Sequence, residues 1–316
     1  FLTLQANAQT VPPYVDTTGL IAWYPFTGNA IDSSGHGFNG SVLGATLTAD
    51  RFGNLSSAYQ FNGSSSKINT SLIPPIGNAA RTISCWFKYD SLPHPCGDYG
   101  LCIVGYGGNN RSCIQRCKNF SLEISYTSYP PRVNVDGICI ATSASSIHDT
   151  VDNSWHFFAA VYDPSYGNFH NIRIYLDGTF DTTTTVVYGG SSLVQTDTLS
   201  TLQIGAGHYD CLRYFAGKID DIGVWNRALD SCELFKLYHS TTGCSTANIA
   251  ITEKIYIDIY PNPATTSLTV ASTSKITAIT ISNLIGQHLY DAKYNSPEVQ
   301  IDIATLSAGI YFVKVN

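Results

Sequence analysis

The sequence predicts an all-β protein: a two-sheet antiparallel jelly-roll sandwich followed by a small C-terminal β-sandwich. Three observations carry that prediction. Short segments rich in β-branched and aromatic residues recur between Gly19 and Trp225. Several alternate cleanly, as in the run 171–178, where Ile172, Ile174 and Leu176 face one way and Arg173 and Tyr175 the other, before an Asp177-Gly178 turn. A helical pattern occurs once. Many short strands separated by turn residues, with almost no helix, indicate a sandwich or a barrel.

In chain order, the first ten residues resemble the end of a secretory signal peptide. Phe1 to Leu4 would close its apolar region, and Ala6-Asn7-Ala8 supplies a small-residue cleavage site, so residues 1–8 are expected to be a signal-peptide remnant. Strands are then expected at Leu20–Phe26, Thr82–Tyr89, Phe120–Tyr126, Arg132–Ile140, Trp155–Tyr162, Asn171–Asp177, Thr201–Gly205 and Gly217–Trp225. The one helix is expected from about Ser231 to His239. Asp230 is a good N-cap, Glu233 completes a capping box, and Leu229 can staple against Leu234. These elements make a first domain over residues 17–245. The small, polar stretch 246–254 reads as a linker. Five more strand patterns, Ile255–Tyr260, Ser267–Ala271, Ile276–Ser282, Val299–Ile303 and Ile310–Val315, give a second domain over 255–316.

Composition narrows the function. Only 13% of the 316 residues are charged and the net charge is −6, so there is no clustered positive charge to neutralise nucleic-acid phosphates. No apolar run approaches the ~20 residues of a membrane-spanning helix. Nine cysteines suit an oxidising destination. Cys96, Cys102, Cys113 and Cys117 crowd a Gly-rich stretch and are expected to form local disulfides whose pairing the spacing leaves open; Cys232 and Cys244 are expected to pair around the helix. Cys85 and Cys139 lie in apolar strand patterns and read as small core residues.

Two resemblances add to this reading. The segments LIAWYPFTGNAIDSSGHGFNG (20–40), ADRFGNLSSAYQFNG (49–63), TISCWFKY (82–89), SWHFFAAVYD (154–163), IRIYLDG (172–178) and FAGKIDDIGVWNRALD (215–230) resemble bacterial laminin-G-like, pentraxin-like domains of the concanavalin A-like lectin/glucanase superfamily. The Cys-rich stretch 93–118 stands out as an insertion. YPNPATTSLTV (260–270), ITISNLIGQHLY (279–290) and IDIATLSAGIYFVKV (301–315) resemble the C-terminal sorting domain of type IX secretion substrates. That resemblance implies export through the type IX translocon and an extracellular or outer-membrane surface location.

The superfamily includes glucanases, which place carboxylates on one strand as Glu-x-Asp-x-x-Glu. The chain has four glutamates, Glu123, Glu233, Glu253 and Glu298, and none has that pattern. A glycosidase needs two carboxyl groups across the scissile bond, so the protein is read as no enzyme. Calcium is the one cofactor expected, in a structural role. Asp32, Asp50 and Asp220 fall in oxygen-rich turns of the resembling segments and are its candidate ligands, with turn capping or salt bridging (Asp50 with Arg51 or Lys218) as the alternative role. The four tryptophans lie in strand patterns and are expected in the core. Tyr99, Tyr106, Asn109, Asn110 and Arg111, on the Cys-rich insertion, are the candidate ligand contacts, because rigid loops on a sandwich commonly carry recognition. The expected function is a secreted, cell-surface carbohydrate-binding or adhesion protein whose partner is a glycan or a cell-surface protein. A structural subunit of an extracellular assembly is the alternative, and a glycoside hydrolase the third reading.

Overall fold

Strands with apolar residues at alternate positions have one face that must leave water, and two such sheets stack to bury it. The computed structural model describes residues 10–90, 101–108, 118–125, 132–136, 142–146, 152–166, 172–187, 194, 196–198, 200–207, 213–244, 257–283, 286–307 and 309–316. Contacts divide the chain into two units, Phe1–Ser245 and Thr246–Asn316.

The first unit contains β1 (Leu20–Tyr24), β2 (Ser41–Leu43), β3 (Thr46–Thr48), β4 (Ala58–Asn62), β5 (Lys67–Asn69), β6 (Arg81–Tyr89), β7 (Leu101–Gly108), β8 (Lys118–Ser125), β9 (Arg132–Asp136), β10 (Thr142–Ser146), β11 (Trp155–Tyr162), β12 (Ile172–Leu176), β13 (Thr179–Phe180), β14 (Thr182–Val187), β15 (Gln203–Ile204), β16 (Ala216–Trp225) and the helix α1 (Ser231–His239). One sheet runs β13-β12-β11-β6-β16-β4-β3, with β1 also on β16; the other runs β14-β10-β9-β8-β7-β15-β5-β2. Named strands pair antiparallel throughout. This is the expected two-sheet sandwich.

Its main core lies between the sheets. Ile83, Cys85 and Phe87 of β6 and Phe158 and Ala160 of β11 meet Val104, Leu122 and Val135 of the second sheet. Burial pushes the Cys85 thiol far up from its ordinary value, so it stays a neutral, apolar filler. Arg81 is also in this layer, fully buried. Its guanidinium reaches the carbonyls of Pro75, Gly77 and Ala79 and the hydroxyls of Tyr106 and Thr196, which together satisfy its fork of donors and pin the 75–79 loop.

A second apolar layer covers the outer face of the first sheet. Trp23, Trp86, Phe157 and Trp225 pack there against Leu234 and Leu237 of α1 and against Val11, Tyr14 and Val15. The domain therefore begins before residue 17, the start expected from sequence. Trp225 Nε1 donates to the Asp16 carbonyl and secures that segment. Three tryptophans are thus core residues, as expected. The capping box forms at the expected residues, the carboxylates of Asp230 and Glu233 each accepting from the other's backbone N–H at 2.8 Å. A disulfide joins Cys232 to Cys244, with Cα atoms 5.7 Å apart.

The second unit is one antiparallel sheet built from β17 (Ile257–Tyr260), β18 (Ser267–Ser282), β19 (His288–Asp302) and β20 (Phe312–Val315). The two strands expected at Ser267–Ala271 and Ile276–Ser282 are a single strand, β18. Register shifts between Ala271 and Ile276 absorb the polar interval, and β17 and β20 pair with opposite ends of it. The sheet curls over Val270, Ile276, Ile279, Ile281 and Ile301.

Candidate functional site

The register of the second sheet sorts its residues into two faces. Val42, Ile68, Ile204, Val104, Leu122 and Val135 are partners in succession across β2, β5, β15, β7, β8 and β9, and they face the core. The neighbouring row, Ser41, Asn69, Gln203, Gly105 and Ser121, therefore lies on the outer face. It is polar from end to end and spans ~19 Å at the usual strand spacing.

Polar side chains continue along β8 at alternate positions. Asn119 Nδ2 donates to Ser121 Oγ at 3.2 Å, and Ser121 Oγ donates to Glu123 Oε1 at 2.7 Å. Arg213 Nη1 lies 3.0 Å from Glu123 Oε2. Both carboxylate oxygens of Glu123 are thus engaged, one by a hydroxyl and one by a guanidinium. Asn134 of β9 is the register partner of Glu123. This half of the face is buried, whereas Asn69 and Gln203 are half-exposed and Ser41 is exposed. Gly105 leaves no room for a side chain, since an added Cβ would lie 2.7 Å from Ser121 Cβ. Within the half-exposed part, Asn69 Oδ1 and Gln203 Oε1 are both buried atoms with no hydrogen-bond partner among the described residues.

Comparison with known families decides the superfamily. The family model of the concanavalin A-like lectin/glucanases superfamily matches residues 62–235, more than half of the chain. The chain belongs to that superfamily. Residues 258–316 match the secretion-system C-terminal sorting domain. The second unit is thus a type IX sorting domain, and the protein is secreted or displayed at the cell surface. Among the described residues no helix is long and apolar enough to cross a membrane.

Solved structures similar to the chain include domain 4 of AbnA, an extracellular arabinanase from Geobacillus stearothermophilus in complex with arabinotriose (17% identity, 69% of this chain and 98% of that one, TM-score 0.48). They also include Trypanosoma rangeli sialidase (16% identity, 73% of this chain, TM-score 0.48), of which this chain spans 34%. A third is the HCR/D W1238A mutant (12% identity, 89% of this chain and 79% of that one, TM-score 0.49). No curated protein matches the chain.

The superfamily member departs from several sequence expectations. Tyr106 is no loop residue. Leu101–Gly108 forms β7 inside the stretch 93–118 expected to be an insertion, and alternation turns Tyr106 into the core at 1% exposure, where its hydroxyl donates to the Pro75 carbonyl at 2.7 Å. Burial also raises its pKa. Tyr106 therefore cannot touch a ligand. Cys102 is in the same strand and is buried. Tyr99, Asn109, Asn110, Arg111, Cys96, Cys113 and Cys117 lie outside the described residues.

The oxygens of the three aspartates expected to bind calcium are committed elsewhere. Asp32 accepts from the backbone N–H groups of Trp23, Ser34 and Phe38 at 2.9–3.1 Å. Asp50 accepts from the N–H groups of Phe52 and Asn54 and from Asn54 Nδ2. Asp220 Oδ2 is 3.0 Å from Arg51 Nη1. Calcium takes six to eight oxygens at ~2.3–2.6 Å, and carboxylates already saturated by N–H donors do not fit it. Among the described residues no group of three or more His, Cys, Asp or Glu is disposed to hold a metal.

The residues missed from sequence, Asn69, Ser121, Asn134, Gln203 and Arg213, carried one usable signal. In KNFSLEIS (118–125), Asn119, Ser121 and Glu123 alternate with Phe120, Leu122 and Ile124, which marks a polar outer face as plainly as it marks a strand.

Proposed function

We propose that the protein is a secreted, non-catalytic glycan-binding or adhesion module that reads sugar hydroxyls on the polar outer face of its second sheet. The observation that carries this reading is the polar row itself, in which the half-exposed amides Asn69 and Gln203 stand side by side in register. Half-exposed amides offer both donors and acceptors, and a glycan brings hydroxyl groups along its length. The part of the row open to a ligand, Ser41, Asn69 and Gln203, spans about 10 Å, room for one or two sugar units. Catalysis is disfavoured by the state of Glu123, which is held by Ser121 and Arg213 and is no free general acid.

A broad glycan array, probed with and without calcium, tests the reading. Binding is expected, and the Asn69→Ala/Gln203→Ala double variant should weaken it about tenfold, two hydrogen bonds at roughly 0.5–1.5 kcal/mol each. Absence of binding to every glycan would sink it. So would polysaccharide turnover that disappears in Glu123→Gln.

The alternative, a subunit of an extracellular assembly, draws on Phe52 and Leu55, which are 67% and 84% exposed on one turn. Cys85 offers no thiol for a bridge between chains, because it is buried. A native particle mass equal to one chain under non-reducing conditions would dismiss this reading.

A further inference from the structure

On the outer face of the first sheet, the apolar layer gives way to polar residues beyond Trp86. The next residue of β6 on that face is Lys88. Its register partners are Trp155 of β11 on one side and Lys218 of β16 on the other, and Gln60 of β4 follows as the partner of Lys218. Phe87, Ile219 and Tyr59, each next to one of these residues in the chain, point the other way into the core. All four side chains of the row are half-buried.

Two lysines directly opposite on neighbouring strands bring their Cβ atoms to ~4.5–5.5 Å, and like charges so placed destabilise a sheet. A lysine on an edge strand guards against strand addition, but β6 and β16 lie in the middle of the first sheet. Among the described residues neither ammonium has an ion-pair or hydrogen-bond partner. The acids that follow the lysines on the same face are committed elsewhere. Asp90 Oδ2 accepts from Gln60 Nε2 at 2.8 Å, and Asp220 Oδ2 is 3.0 Å from Arg51 Nη1. In a chain of net charge −6, the row is a local positive spot that the fold keeps at a cost.

We propose that the row Trp155, Lys88 and Lys218 is a second binding site, which takes the carboxylate of an acidic polysaccharide. Ammonium groups from adjacent strands can each donate to one oxygen of the same carboxylate, and the shared anion offsets the repulsion between them. A uronic-acid ring carries its carboxylate beside an apolar face of C–H groups. Trp155 supplies a half-buried indole on the adjoining strand against which that face can lie. Gln60 bounds the row on the other side, its Nε2 fixed on Asp90 and on the Gly217 carbonyl at 3.2 Å. Contacts of this kind weaken with salt, and a polymer repeats them at high effective concentration.

The site is on the other sheet from Asn69 and Gln203 and is tested apart from them, on the full chain with polygalacturonate. At ~50 mM salt wild type is expected to bind, and Lys88→Gln/Lys218→Gln to bind about tenfold more weakly. Lys67→Gln/Lys314→Gln, which removes the same charge elsewhere, should match wild type. Without ligand, Lys218→Gln alone should raise the melting temperature by about 1–2 °C at low salt, because the like-charge pair is gone. A lower melting temperature would overturn the proposal, since the ammonium would then have a partner within the protein. So would a wild type that ignores polygalacturonate, or an equal loss in the two double variants, which would make net charge the cause. Dextran sulfate bound in preference to polygalacturonate would overturn the choice of a carboxylate. Neutral glycans on the array report on the polar row alone, so the two readings fail separately.

Discussion

His156 shows how a single residue can tie stability to pH. Its Nδ1 is 2.8 Å from Asp177 Oδ2 and its Nε2 3.0 Å from Asp152 Oδ1. Two carboxylates as partners require a hydrogen on each nitrogen, which only the imidazolium has. Burial on its own would lower the pKa, but hydrogen bonds and charge from Asp177 and Asp152 outweigh it, and the pKa stands above the usual histidine value. The folded pKa exceeds the unfolded one, so the stabilisation is complete below the unfolded value of ~6.5 and is lost as pH rises through the folded value. Urea unfolding should show His156→Gln clearly less stable than wild type near pH ~5.5, with the gap narrowing at ~9. An equal gap at both pH values would mean that packing, rather than charge, holds the ring. Sequence alone could not single out this histidine, because Asp177 is 21 residues away in the chain. Tyr106 was misread for a related reason: its neighbours Gly105, Gly107 and Gly108 have the composition of a loop, and only pairing with β8 and β15 makes the segment a strand.

At the scale of elements, what is local in the chain was legible. The capping box of α1 forms at Asp230 and Glu233, with Leu229 and Leu234 buried beside it, because its signals lie within a few residues. Asp230→Ala should cost about 1 kcal/mol in urea unfolding, with Asn at the same position recovering most of it. A loss shared equally by Asn would show that the carboxylate acts through charge alone. Strands without apolar alternation were not legible. The segment 142–146 reads TSASS and 182–187 reads TTTTVV, yet both join the ladder of the second sheet, where β9 and β10 supply the hydrogen bonds that composition does not announce. The polar outer row was hidden in the same way: Asn69 and Gln203 sit on strands of three and two residues, too short to show a period.

For the whole molecule, each unit has its own core, one between and around the two sheets and one within the curled sheet. A chain ending at Ser245 should therefore retain the melting transition of the sandwich within about a degree of the full-length value. A large drop would show that the sorting unit shares in that fold. The two outer faces of the sandwich also differ in kind, since the helix and N-terminal segment cover much of the first while the second keeps its polar row.

The covalent link between Cys232 and Cys244 bears on how force would enter the first unit through the chain that follows it. It sits where the sandwich ends, so tension applied downstream of Ser245 would cross the sulfur bridge into the first turn of α1 and bypass the intervening eleven residues. Under such a pull the helix would be loaded at its first turn instead of being peeled away from its C-terminal end.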